Sequence, residues 1–237
     1  MRLNRKQKIL RNLLVCLLLA LATYAALGFP PYTVEAMCRQ VQRDYLLPEL
    51  EPVYVLKEKH EYSGDWVNRH FTFLIARCRD TYVSFLYDRH LLQNERQYAR
   101  EVAIGEGALC MARAGTMYVA GDFKDVCSAA AVVRADNGTR YRDFTLQGEK
   151  LGEEVFGFDV TGGKGESALF FWQEGDEEEM SLAEIANYWY RRYDSSGNGY
   201  GLLHASLPVT VTLYDERGEV MNTLSLSVET YDLHSWY

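Results

Sequence analysis

The sequence predicts a mainly β (α+β) protein. An N-terminal transmembrane helix precedes an antiparallel, β-sandwich-like extracytoplasmic domain that carries one inserted amphipathic helix. Three observations predict this. A basic flank runs into an uncharged apolar stretch, "LLVCLLLALATYAALGFPPYT". Most later segments are short, rich in β-branched and aromatic residues, and divided by turn residues. One stretch near residue 181 changes to helical spacing and opens with a capping box.

The first element follows from charge and length. Arg2, Arg5, Lys6, Lys8 and Arg11 precede the apolar run, with no acidic residue among them. A flank of this kind stays in the cytoplasm. No side chain from Leu13 to Phe29 is charged. As a helix this run is roughly 26 Å long, near the lower limit for crossing a bilayer. Pro30 and Pro31 stop it. Residues 1–12 therefore read as a cytoplasmic flank and 13–29 as a retained signal-anchor in the lipid bilayer. The bulk of the chain is then outside the cell membrane, in a single-pass arrangement. Cleavage is the competing reading, because Ala20-Leu21-Ala22 and Ala26-Leu27-Gly28 both have small-x-small form. Cys16 follows Leu14 and Val15, which are too bulky for lipoprotein processing, and reads as an ordinary helix residue.

Residues 30–52 read as a short amphipathic helix and a connector. Thr33 caps the helix and Glu35 favours its first turn. Val34, Met37, Val41 and Tyr45 recur on one face, and the two prolines of "PELEP" make the connector stiff. From 53 to 237 the pattern is β-rich. "VYVLKEKHEY" and "VNRHFTFLIARC" flank a turn at Ser63-Gly64-Asp65, and "TYVSFLY" suits a central strand. Residues 89–102 are ambiguous: Leu91, Leu92, Tyr98, Ala99 and Val102 suggest a helical face that Glu95 interrupts. Two short strands surround Gly115, and Asn137-Gly138 reads as a type I′ hairpin turn. "EVFGFDV" and "SALFFW" read as further strands. Ser181 with Glu184 opens a helix whose stripe is Leu182, Ile185 and Trp189. In the last hairpin, Val209, Val211 and Leu213 alternate with Thr210, Thr212 and Tyr214. Gly218 turns the chain, and Val220, Leu224, Leu226 and Val228 continue the pattern. The sheet can divide into two lobes near 174–181, where acidic residues cluster.

Composition excludes some partners. Of 25 basic residues, five lie in the flank, so 20 face 33 acidic ones in the rest, a net charge of −13. That balance excludes nucleic acid, which needs a positive face. It also argues against lying flat on anionic lipid. Cys38, Cys78, Cys110 and Cys127 permit disulfides with three connectivities, or are buried thiols. No CxxC pair supports a zinc knuckle or a thioredoxin-like site.

The motifs that could carry chemistry are incomplete. "YDSSGNG" places Asp194, Ser196, Asn198 and Gly199 like the start of a calcium loop after a helix, but Ala205 stands where a closing Glu is required. "TGGKGES", with Lys164, lacks phosphate-loop spacing and reads as a hairpin loop. His60 and His70 straddle a turn with Asp65 between them, and the register that would put them on one face is not legible. No GxSxG or Ser-x-x-Lys signature occurs. "NYWYRRY" puts Tyr188, Trp189 and Tyr190 about 100° apart on a helix, so one of them faces away from the core. Arg191 and Arg192 beside them fit a surface that grips a partner. Asn137-Gly138-Thr139 has the form of a glycosylation acceptor. No catalytic, cofactor-binding or metal-binding residue is therefore assigned, and no cofactor is implied.

The basic flank, the anchor, "FPPYTVEAM", "GTMYVAGDF" and "VTLYDERGEV" together resemble a family of unknown function: single-pass, membrane-anchored proteins of low-GC Gram-positive bacteria. The resemblance implies class and location only, and argues against a disulfide or a glycan. The expected role is a non-enzymatic module at the cell envelope that binds a protein or a wall component. The alternative is an envelope hydrolase with a dispersed site, collecting His60, His70 or His204 with a carboxylate. A membrane-proximal sensor is disfavoured by the short cytoplasmic flank.

Overall fold

Short runs of β-branched and aromatic residues dominate the chain, and they assemble as antiparallel strands. The computed structural model describes residues 4–26, 33–61, 68–89, 100–136, 138, 140–162, 180–193, 200–202 and 205–233. The chain forms two units, one of Met1–Leu74 with Ser84–Val102, the other of Ile75–Val83 with Ala103–Tyr237.

The first helix, α1, spans Arg5–Ala26. Its described side chains are exposed all round, Leu13 and Leu19 by more than half. Among the described residues no helix is long and apolar enough to cross a membrane. The described residues therefore do not show the membrane-spanning helix expected over 13–29. Arg5, Lys6, Lys8 and Arg11 occupy the first turns of α1, and 27–29 lie outside the described residues.

The second helix, α2, spans Val34–Tyr45 and starts as expected, with Ala36 N–H donating to Thr33 Oγ1 at 3.2 Å. Met37, Cys38 and Val41 are buried. Tyr45, expected on that face, is exposed because the helix ends there and the chain turns away. The turn sets Leu46 in the left-handed region (φ 53°), and Leu47 N–H closes the end on Gln42 O at 2.9 Å. A left-handed leucine costs about 1–2 kcal/mol, more than glycine's extra chain entropy. Leu46 is also 90% exposed, so its side chain contributes little packing. Leu46→Gly should therefore raise stability by about 0.5–1 kcal/mol, read as an upward shift of the urea midpoint with no change in slope.

Four strands come next, in a sheet of order β1-β2-β3-β4, with β1 at Glu51–Glu61, β2 at Asn68–Cys78, β3 at Thr81–Arg89 and β4 at Arg100–Glu106. The strand β3 is internal and buried on both faces from Tyr82 to Tyr87, as "TYVSFLY" predicts. In the first unit, Phe73 meets Tyr54 edge to face, and Phe85 meets Tyr87 in the same way. Burial pushes the Cys38 thiol up to about 11. The ambiguous segment 89–102 ends in strand: Val102 lies in β4, and 90–99 lie outside the described residues.

The second unit carries a seven-stranded sheet of order β13-β12-β7-β8-β9-β6-β5. Its strands are β5 (Ala108–Arg113), β6 (Thr116–Gly121), β7 (Ser128–Asp136), β8 (Tyr141–Lys150), β9 (Val155–Asp159), β12 (Ser206–Tyr214) and β13 (Val220–Glu229). Ala114 and Gly115 both take positive φ and close β5 onto β6, the tight turn expected around Gly115. The turn after β7 differs from expectation. Asp136 pairs with Tyr141, so four residues intervene rather than two. The Asp136 carboxylate accepts from Gly138 N–H at 2.7 Å and holds the wider loop.

The sheet curls until its edge strands β5 and β13 approach without pairing. The one-turn helix α4 (Thr230–Leu233) lies against both. Inside are Met117, Val119, Phe156, Phe158, Val209 and Val211. The helix α3 (Leu182–Tyr190) adds Leu182, Ile185 and Ala186 to this core. Its capping box is present: Ser181 N–H donates to Glu184 Oε2 at 2.7 Å, and Glu184 N–H to Ser181 Oγ at 3.3 Å. None of the five cysteines forms a disulfide, so none of the disulfide connectivities is realised. The acidic residues 176–179 and the expected strand "SALFFW" lie outside the described residues.

Candidate interaction face

Alternation along β7 and β12 buries every second residue and turns the others to solvent. The register then lays the outward residues in rows. Thr145, Val132, Thr210 and Ser225 form one row, and Gln147, Ala130, Thr212 and Thr223 form the next. None of the eight is charged. With strands about 4.8 Å apart, four abreast make a surface about 14 Å across. Hydroxyls and methyls alternate over it, with Val132 exposed at its centre.

The adjoining row ends in an internally neutralised ion pair. Arg134 Nε and Nη2 donate to Asp143 Oδ1 and Oδ2, both at 2.7 Å. The Arg134 hydrogen bonds hold the Asp143 carboxyl below its usual range, and Asp143 pushes the guanidinium further up. The same guanidinium lies 5.0 Å from the centre of the Tyr141 ring, which is 67% exposed. The result is a preset aromatic beside a neutral, hydroxyl-bearing sheet face.

A second polar cluster is structural. Arg77 Nη1 donates to Glu154 Oε1 at 2.6 Å, and Tyr82 Oη to Glu154 Oε2 at 3.0 Å. It fastens the tip of the β2–β3 hairpin to the turn before β9, all within the second unit. Burial, and then the Glu154 carboxylate, push the Tyr82 phenol well above its ordinary range.

The residues singled out from sequence are not brought together. Tyr188, Trp189 and Tyr190 end α3, but Arg191 and Arg192 begin a strand, β10 (Arg191–Tyr193), paired with β11 (Tyr200–Leu202). The three aromatics thus lie on a helix as expected, and the two arginines follow in a hairpin strand. Side chains 187–193 lie outside the described residues. The calcium-loop segment 194–199 also lies outside them, and strands flank it where an EF-hand needs helices. His60 and His70 fall in β1 and β2, with their side chains outside the described residues, as are Lys164 and His204. Among the described residues no group of three metal-ligating side chains converges. The sheet face is only half legible in the sequence. Thr210 and Thr212 show their outward alternation there, but their neighbours Val132 and Thr145 come from another hairpin, and only register reveals them.

No protein-family model matches the chain, and comparisons with curated proteins and with solved structures find no match.

Proposed function

We propose that this chain is a membrane-anchored, extracytoplasmic binding module without catalytic activity of its own. The neutral face of β13, β12, β7 and β8 is its contact surface, and that face carries the reading. In a chain of net charge −8, eight adjacent outward residues have no charge, and the nearest ion pair is satisfied internally. Such a face suits a protein or wall component whose own contact surface carries little charge, because no charge is stripped of water on binding. The anchor reading is supported separately by α1. Among the described residues its leucines are exposed on every side, which suits an apolar medium, although the described stretch falls short of a membrane span.

The test is photo-crosslinking in intact cells from a probe replacing Val132, with a protease-sensitive tag after Tyr237. The tag should be digested from outside, and the probe should capture one recurring species. Thr210→Lys should lower that capture at least tenfold while stability changes by no more than about 0.5 kcal/mol. A protected tag, or capture that Thr210→Lys leaves unchanged, would remove the proposal.

A further inference from the structure

The strand β13 is an edge of the seven-stranded sheet; β5 approaches it without pairing, and its first half carries a bulge at Met221 but remains exposed. From Val220 to Val228 there is no charge, no proline and no glycine. Its far end is covered: Leu224 and Leu226 pack against the core and Val228 is buried. Residues 220–223 are exposed on both faces of the strand, including apolar Val220 (61%) and Met221 (47%). An open, neutral, partly apolar edge is a template for another strand.

The backbone shows which groups face outward. Asp215 N–H donates to Glu219 O across the hairpin, so by alternation Leu213 faces β13 and the Thr212–Thr223 pair is of the non-hydrogen-bonded kind. Thr223 N–H instead meets the Asn222 carboxamide oxygen at 2.8 Å. The amide therefore points to the free edge, and a neighbouring side chain occupies the place of a partner strand's carbonyl. In an antiparallel sheet the C=O of the same residue points the same way. Thr223 is thus equipped to exchange two hydrogen bonds with an antiparallel strand.

We propose that β13 pairs edge to edge with β13 of a second copy of this chain, about a twofold axis at Thr223. Each Thr223 then exchanges its N–H and C=O with the other, and Met221 faces Ser225. The neutrality of the run selects a second copy. Two chains of net charge −8 meet with least repulsion where neither carries a charge, and an isologous contact needs a segment complementary to itself. Asn222 keeps the lone chain satisfied and gives way when the second strand arrives. The inference does not rest on the envelope reading: it uses the backbone of Thr223, whose side chain belongs to the neutral face, and Asn222→Lys, outside both rows of that face, tests it separately.

The test uses the full chain in mild detergent, with mass measured by light scattering and a photo-crosslinker at Met221. The expected result is twice the chain mass, with crosslinks mapping into β13 of the second copy. Asn222→Lys places a charge on the edge, and Thr223→Pro removes the outward N–H without removing a β12 ladder bond. Each should weaken association at least tenfold. A single-chain mass at the highest concentration would overturn the proposal. So would association that both variants leave unchanged, or crosslinks only to another protein.

Discussion

Phe158→Ala should destabilise the second unit by about 3–5 kcal/mol, at the upper end for a single core truncation. Phe158 is fully buried on β9, near the middle of the seven-stranded sheet. Directly across from it is Gly148 of β8. A Cβ there would come within 2.8 Å of the Phe158 ring and 3.0 Å of Ala129 O, so the ring rests on bare backbone. Removing the ring leaves a void bordered by glycine, whose missing side chain cannot move in to refill it. Urea unfolding monitored by circular dichroism checks this. A loss below about 1 kcal/mol would mean that the barrel interior collapses around the gap. Gly148→Ala should also destabilise, since the new methyl meets a ring and a carbonyl that are both held in place.

Glu154→Ala should cost about 2–3 kcal/mol, because one carboxylate serves two donors across the β2–β3 tip and the β8–β9 turn. Tyr82 is almost fully buried, so its hydroxyl would lose its acceptor out of reach of water. Arg77 is partly exposed and recovers solvation, which limits the loss. Glu154→Gln keeps an acceptor for Tyr82 and should lose about half as much. The pH dependence comes from the Tyr82 phenol, which is raised in the folded chain. The native state holds that proton more tightly than the unfolded state. Its contribution is therefore complete below about pH 10 and is lost as pH rises above it. Stability measured from pH 8 to 11 should fall at the alkaline end, and Tyr82→Phe should flatten that fall. An unchanged slope would separate the phenol from the docking of the hairpin.

Much of the architecture is legible where local chemistry decides it. Thr33, and Ser181 with Glu184, mark helix starts because capping acts within three residues. The alternation of β12 marks its buried face because a strand repeats every two residues. The features that cannot be read depend on partners distant in sequence or on competing local bonds. Asn137-Gly138 has the form of a two-residue hairpin turn, but Asp136 claims Gly138 N–H and widens the loop. Val132 draws no notice in the sequence because its place beside Thr210 is set by register, not by its neighbours in the chain. Glu154 is invisible as a docking residue because its partners lie 77 and 72 positions away.

The division of the chain into its two units has a consequence for expression and dissection. The polypeptide changes unit after Leu74, again after Val83, and a third time after Val102. No single scission yields one whole and one remainder. A fragment starting at Ala103 would lack Arg77 and Tyr82, and with them the hairpin tip that Glu154 fastens. During synthesis the earlier piece must wait, unsatisfied, until the ribosome has delivered the β8–β9 turn. A nascent chain stalled before that point should be readily cleaved near residues 75–83.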